Sequence, residues 1–419
     1  MEIVPNKLNS SGTKMKIMVK DRILERLREA GAGEYISGQE LCEALGVSRT
    51  AVWKAVGRLR EEGYPIEAVQ NRGYRLDEAR AESSDLLNEA ELNARLSAAT
   101  RWAGHPCYYA EETGSTNDDI MALADQGAPE GTLCVTSLQN KGKGRRGRRW
   151  ISPDGGNVYM SLLVRPKMPT NIAPMVTIVM ALAACKACQE IAGGAVVDDI
   201  ERQERGQAAG AEAEAGAAAG SGENICLEKG VCAAAAGSGD QCVYPARFGI
   251  KWPNDIVVSS AKDPAWKKMT GILTEMRLEE RDIRDVTIGI GFNVNTSSIP
   301  EEIAATASSI YLATGKKTNR ADLVAAVWKH FEEDYGLFVR AGSLAPLRAA
   351  YEQVLVNKGR TVRVLDPQAP FTGRAIGISD LGELLVEVTP ASEGQVPGRP
   401  VIRAVSAGEV SVRGVEGYV

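Results

Sequence analysis

The chain has 419 residues, with 49 Lys and Arg against 54 Asp and Glu, a net charge of −5. Charged residues at 25% and hydrophobic residues at 44% are ordinary for a globular protein, and this length suggests about two to four domains. The mild acidity argues against a chain that coats nucleic acid all over, but leaves room for one local basic patch. With only His105 and His330, a three-His metal site is impossible and a Ser-His-Asp triad has just two candidate bases.

The longest apolar run, residues 173–185, is 13 residues long and still contains Thr177. It is too short for a membrane span and is expected to be a buried helix. The N-terminal residues lack the apolar core of a signal peptide, so a cytoplasmic location with no membrane partner is expected. The eight cysteines should then be reduced thiols. Cys185 and Cys188 form a C-x-x-C, but the candidate partner pair, Cys226 and Cys232, has the wrong spacing for a zinc ribbon. They are read as small core or loop residues, and no protein metal site is expected.

Residues 1–16 read as a disordered tail. Apolar residues then recur at helical spacing over 17–29, at Ile17, Val19, Ile23, Leu24 and Leu27. Ser37 with Glu40 three later is a capping box for a short helix over 39–45, which Gly46 ends. Ser48 restarts a helix that runs to about residue 62, with Ala51, Val52, Val56 and Leu59 inward. Residues 64–70 and 73–76 alternate like a small hairpin around Asn71-Arg72-Gly73. Two helices joined by a turn and followed by a hairpin predict a winged helix-turn-helix over 17–77, with the helix pair at 38–57. Ser48, Arg49 and Thr50 at the helix start, then Lys54, Arg58 and Arg60, suit base-edge and phosphate contacts in a major groove. Residues 14–77 carry 12 Lys and Arg against 10 Asp and Glu, so +2 within a chain of −5. The alternative is a helical subdomain for protein contacts.

A polar, helical linker over 78–96 leads to a second domain over 97–345. A strand at 107–113 ends at Gly114-Ser115-Thr116-Asn117, and a helix follows to Asp125. Hydroxyls at such a turn make either a polar pocket wall or an N-cap. The next strand, 133–138, leads into Gln139 and then a run, 141–149, in which every residue is glycine or basic. Six positive charges so close repel one another, so the empty loop should be mobile and a polyanion should close it. It is not a Walker A loop, which has one Lys followed by Ser or Thr. A solvated basic run or a nucleic-acid patch remains the alternative. Trp150, just after it, could stack on a base or sit in the core.

A long buried helix is expected over 171–191. Residues 194–241 then read as a low-complexity insertion, with 12 Ala or Gly among the 15 residues 206–220. Strand pattern resumes around Lys251-Trp252-Pro253-Asn254-Asp255. A Lys between Ile250 and Trp252 would be partly buried and needs an anionic partner, either Asp255 or a ligand. Two more strands, 269–275 and 286–295, carry glycines where something must approach the backbone closely. An amphipathic helix covers 322–338. The final region, 346–419, has strand pattern at 361–365, 375–378, 384–388 and 409–412, as in a small SH3-like β-barrel.

These motifs, in this order, resemble the biotin–protein ligase family in its bifunctional form, which is also the biotin operon repressor. The resemblance is carried by Gly114-Ser115-Thr116-Asn117, by Gln139 with the glycine–basic run and Trp150, by Lys251-Trp252-Pro253-Asn254-Asp255, by Gly271-Ile272-Leu273-Thr274-Glu275 and by Gly289-Ile290-Gly291-Phe292-Asn293-Val294. It implies an α+β chain: a winged helix-turn-helix, a central class II synthetase-like mixed α/β ligase domain and an SH3-like β-barrel. It implies that biotin is held by Ser115, Thr116, Asn117, Gln139, Lys143, Gly144, Arg145 and Lys251. Arg148, Trp150, Asn254 and Asn293 would bind the nucleotide, with Lys251, Arg145 and Lys143 neutralising charge during catalysis. The family usually has Arg where this chain has Lys143, so bidentate contact is lost there.

The implied activity is ATP-dependent: biotin and ATP form biotinyl-5′-AMP, with Mg²⁺ on the phosphates, and biotin passes to a lysine of a carboxylase carrier domain. Operator DNA and a homodimer promoted by biotinyl-AMP would be the further partners. The competing readings are a DNA-binding regulator whose α/β domain senses a ligand without ligating it, an RNA-binding module and a lipoate ligase. The RNA-binding reading lacks the interleaved aromatics of a stacking platform.

Overall fold

A computed structural model describes residues 19–31, 33–151, 156–193, 243–366, 369–388, 400–407, 411–415 and 418–419. The expected disordered tail and low-complexity insertion lie outside these residues, as do Cys226 and Cys232. One unit spans residues 5–91 and the other contains residues 92–419.

In the first unit, α1 (Val19–Glu29) buries Ile23, Leu24 and Leu27 on one face. Helix α2 (Gly38–Leu45) starts where Ser37 Oγ accepts from Glu40 N at 3.0 Å, and stops at Gly46 in the left-handed conformation. Helix α3 (Arg49–Glu61) is capped by Ser48 Oγ, which accepts from Ala51 N at 3.2 Å. It turns Val52, Ala55, Val56 and Leu59 into the core shared with α1. Strands β1 (Ile66–Val69) and β2 (Gly73–Leu76) form the hairpin, and Ile36 pairs with Tyr74 through two 2.9 Å backbone bonds. A Cβ on Gly73 would lie 2.0 Å from the Ile36 carbonyl oxygen, so only glycine fits there. This is a winged helix-turn-helix. The expected helical linker is two helices, α4 (Glu78–Ser83) and α5 (Glu89–Ala99).

The second unit is built on β3 (Cys107–Thr113), α6 (Thr116–Asp125), β4 (Leu133–Gln139), β5 (Val158–Val164), α7 (Val176–Ala192), β6 (Ala246–Lys251), β7 (Asp255–Ser260), β8 (Lys267–Glu279) and β9 (Asp282–Phe292). Its sheet has the order β3-β4-β5-β9-β8-β7-β6, in which only β3 and β4 are parallel. Helix α6 lies against β4, β5 and β9, and α7 against β6, β7 and β8. The short α8 (Ile310–Thr314) precedes α9 (Arg320–Ala341), which packs along α7. The stretch Ala173–Ala192 is long and apolar enough to cross a membrane, but 67% of that window is buried inside the unit. It is a core helix, and each fully buried Val, Ile, Leu or Met side chain on it stabilises the fold by about 1.5–3 kcal/mol. It starts later than the periodicity suggests because Pro174 sits in a 3₁₀ turn, Ala173–Met175. Cys185 and Cys188 are free thiols inside this helix, and burial pushes the Cys185 thiol up to about 12.

After α10 (Arg348–Gln353), strands β10 (Thr361–Leu365), β11 (Phe371–Ile378), β12 (Leu384–Val388), β13 (Val401–Val405) and β14 (Ser411–Gly414) form an antiparallel sheet in the order β13-β12-β11-β10-β14. Strand β13 has no signal in the sequence reading. It is an edge strand with Val401 to Ala404 all exposed, so it lacks the inside–outside alternation that marks a half-buried strand.

Candidate active site

The turn from β3 into α6 delivers Ser115, Thr116 and Asn117, all buried. Ser115 occupies the N-cap position, but its side chain makes no cap bond. That favours the pocket-wall reading over the N-cap one. Thr116 N donates to Gln139 Oε1 at 2.9 Å, at the end of the parallel neighbour β4. Ser161 Oγ donates to Asn117 Oδ1 at 2.6 Å and lies 2.7 Å from the hydroxyl of Thr116, which also reaches Gln139 Oε1 at 3.2 Å. Asn117 Nδ2 donates to Glu275 Oε2 at 2.5 Å. A chain of hydrogen bonds thus runs Gln139–Thr116–Ser161–Asn117–Glu275 across four elements, and it fixes which way the Asn117 amide points.

The floor is made by glycines in β8 and β9. Gly271 and Gly291 are cross-strand partners. A Cβ on Gly271 would lie 2.6 Å from the Trp150 ring, and one on Gly291 would lie 3.1 Å from Trp150 Nε1. The close approach expected at these glycines is therefore made by Trp150 itself. Its indole N–H is buried and has no hydrogen-bond partner among the described residues.

The basic run folds back on itself. Gly144 N donates to Arg148 O at 2.7 Å, Trp150 N donates to Gly142 O at 2.9 Å, and Lys143 bridges to Arg149. The Lys143 ammonium pairs with Asp118 on α6. Arg145 Nη1 donates to Asn254 Oδ1 at 3.0 Å, while Asn254 Nδ2 donates to Ile272 O at 2.8 Å. Asn254 thus ties the basic loop to β8. Its neighbour Trp252 ties the turn to the C-terminal sheet: its backbone N donates to Asn357 Oδ1 at 2.8 Å, and its Nε1 donates to Gly382 O at 2.9 Å.

Lys251 is 6% exposed. Its cross-strand partner is Asp255, yet Asp255 is engaged elsewhere: Lys268 Nζ lies 2.5 Å from Oδ1, and the Tyr418 hydroxyl donates to Oδ2 at 2.7 Å. The Lys251 ammonium instead lies 3.4 Å from the centre of the Tyr418 ring. Burial lowers its pKa to about 8 against the partial help of Asp255, and Lys268 and Arg413 lower it further.

These groups line one cavity of about 230 Å³. Ser115, Thr116, Asn117, Gln139, Lys143, Gly144, Arg145, Arg148, Trp150, Lys251 and Asn254 all reach it. Of its charged lining residues, Lys143, Arg145, Arg148, Arg149, Lys251 and Lys268 are cations and Asp255 is the single acid. Such a cavity suits a small polar molecule joined to a polyanion. Asn293 stands apart. It is buried at the end of β9, where its Nδ2 donates to Ser308 O at 3.1 Å, and it does not line this cavity.

A family model described as the biotin/lipoate A/B protein ligase family matches residues 109–214. A helix-turn-helix domain model matches residues 20–75, and the biotin protein ligase C terminal domain model matches residues 359–413. The bifunctional ligase/repressor BirA of Bacillus subtilis (strain 168) is 34% identical over 375 residues, covering 89% of this chain and 95% of that one. The chain belongs to the biotin–protein ligase family, in its bifunctional ligase/repressor form. BirA of Escherichia coli (strain K12) is 24% identical over 384 residues, covering 92% of this ligase and 95% of that protein. Among solved structures, the biotin protein ligase of Aquifex aeolicus in complex with biotin and ATP matches with a TM-score of 0.49 and 25% identity, over 74% of this ligase and 98% of that chain.

In the winged-helix unit of the ligase, Arg49, Thr50 and Lys54 lie exposed on α3 beside the cap Ser48. Arg49 donates through Nε and Nη2 to Gln39 Oε1 at 3.2 and 2.8 Å, which aims the guanidinium from the N-terminus of α3. Trp53, 69% exposed on the same face, was missed by the sequence reading. Its signal is its position between the inward Val52 and Val56, which leaves it on the outer side of the helix. Ser161, Lys268 and Tyr418 were missed too. A buried serine inside the apolar strand β5 is legible as a polar group in need of a partner, whereas nothing local marks Tyr418.

Proposed function

We propose that this cavity is where biotin is adenylated, and that the polar wall and the basic loop divide the substrate between them. Ser115, Thr116, Asn117 and Gln139 hold the polar ring of biotin. Lys143, Gly144, Arg145 and Lys251 face its carboxylate. Arg148, Trp150 and Asn254 take the nucleotide, and the resemblance adds Asn293, which lies at the end of β9 outside this cavity. The observation that carries this reading is the meeting of an ordered polar wall with six cations in one cavity.

The chemistry needs no protein nucleophile. A biotin carboxylate oxygen attacks the α-phosphorus of ATP, an oxygen–phosphorus bond forms, and pyrophosphate leaves. The amine of a carrier-domain lysine then attacks the acyl carbon of biotinyl-5′-AMP, forming an amide and releasing AMP with a proton. Both steps need positioning and charge neutralisation, which Lys251, Lys143, Arg145 and Arg148 supply. The basic loop, closed over the anhydride, keeps water from it.

The cavity residues do not fit a protein-held Mg²⁺. Asp255 is the single carboxylate in the lining, and both its oxygens are taken. Magnesium on this reading comes with the nucleotide phosphates, which is its common mode of binding, and no step here depends on it. We further propose that operator DNA is bound by a homodimer that biotinyl-AMP promotes, since one winged helix reads too few base pairs for useful specificity. Use of ATP and operator DNA supports a cytoplasmic location.

The test is pyrophosphate exchange into ATP by the purified protein, with and without biotin, followed by labelling of a carrier domain. Exchange that depends on biotin supports the ligase. Binding of biotin and DNA with no exchange would leave the ligand-sensing regulator instead.

A further inference from the structure

Asp255 faces Lys251 across the β6–β7 hairpin, but the two form no ion pair. Both contact a tyrosine from the far end of the C-terminal domain. The Tyr418 hydroxyl donates to Asp255 Oδ2 at 2.7 Å, and the ring of the same residue lies 3.4 Å from the Lys251 ammonium. Lys268 takes the other Asp255 oxygen. The neighbouring Val419 packs with Val257 and Val356. Its carbonyl oxygen lies 1.9 Å from where a Cβ on Gly414 would be, so the chain returns over β14 at a place where no side chain fits.

We propose that Tyr418 is a positioning residue for adenylation, which holds Asp255 away from Lys251 so that the ammonium stays available to the incoming substrate anion. The inference rests on the reading of this cavity as the adenylation site. An ammonium paired with a carboxylate is already neutralised. An ammonium over a ring has only the attraction of the π face, which a carboxylate or phosphate oxygen outcompetes. The groups facing Lys251 are Asp255 from β7, Lys268 from β8, Arg413 from β14, Tyr418, and Arg145 and Arg148 from the basic loop. Asp255 alone among them is acidic, so its engagement decides whether Lys251 has a fixed counter-charge. Burial and the Asp255 carboxylate push the Tyr418 phenol far above its ordinary value, so it remains a donor at any working pH.

Tyr418→Phe keeps the ring and removes the hydroxyl. Asp255 Oδ2 is then free to pair with Lys251. The measurement is kcat/KM for biotin, in biotin-dependent pyrophosphate exchange, as a function of pH. In the unsubstituted protein the alkaline limb should fall near 8, where Lys251 loses its proton. In Tyr418→Phe the limb should move up by about one unit, because a close carboxylate favours the charged lysine, and the KM for biotin should rise several-fold. Adding Asp255→Asn to that variant should bring the limb back down. Val419→Ala removes packing against Val257 and Val356 and keeps the Tyr418 hydroxyl; it should lower the melting temperature and leave the limb in place. An unmoved limb and KM in Tyr418→Phe, or equal shifts in Tyr418→Phe and Val419→Ala, would overturn the proposal. Failure of the ligase reading itself would be visible separately, as no biotin-dependent exchange in the unsubstituted protein.

Discussion

Asn117 Oδ1 lies 2.1 Å from the point where a Cβ on Gly289 would stand. Gly289 is the cross-strand partner of Ser161, which donates to that same oxygen. The glycine is therefore the space into which the Asn117 amide fits, and the serine and Glu275 hold it there. Gly289→Ala should push the amide out and break its bonds to Ser161 and Glu275. Stranding buried polar groups costs about 1–3 kcal/mol, so biotin affinity should fall about tenfold or more. Titration calorimetry with biotin checks this, beside a circular dichroism spectrum that stays native. Unchanged affinity would mean that Asn117 does not touch the ligand.

Lys251 combines a functional gain with a stability cost. Its folded pKa of about 8 lies below its ordinary 10.5, so the folded state holds fewer protons than the unfolded state between those values. The cost of burying the charge is therefore full below pH 8 and is relieved as pH rises from 8 toward the unfolded value. Lys251→Met should raise the melting temperature at pH 7, with a gain that shrinks above pH 8, and should abolish adenylation. Lys251→Arg should keep more adenylation than Lys251→Ala, because the role is electrostatic. Trapping an adenylyl or biotinyl group on Lys251 would show instead that it is a nucleophile.

The basic loop over 142–149 should be the first site of tryptic cleavage without ligand. Its charges repel, and few contacts hold it beyond the Lys143–Asp118 and Arg145–Asn254 pairs. Biotin with ATP should protect it strongly. Equal cutting in both states would separate the loop from ligand binding.

The exposed Arg49 should be required for DNA and irrelevant to ligation. Arg49→Ala should abolish a gel shift on the chain's own biotin-synthesis promoter while leaving pyrophosphate exchange intact. Sedimentation with and without biotin plus ATP tests the dimer. Whatever strengthens association must strengthen ligand binding by the same factor. If ligand changes neither association nor DNA affinity, repression through a ligand-promoted dimer is wrong.

Much of this protein is legible one element at a time. Ser37, Gly46 and Ser48 mark helix ends because capping acts over three or four residues. The glycine–basic run marks a candidate anion site by its charge density, with a solvated basic run as the alternative. The glycines of β9 announce that something must approach the backbone, but not that the visitors are Asn117 and Trp150. Those identities depend on sheet register, which sets Ser161 opposite Gly289 and Gly271 opposite Gly291. The sequence left Asp255 and a ligand as equal candidates to partner Lys251. The fold removes Asp255 from that choice, by bringing Tyr418 from 163 residues away to occupy it, and leaves the ligand. Short-range periodicity and caps are written in neighbouring residues, whereas the partner of a buried charge is set by which distant strands the packed core brings together.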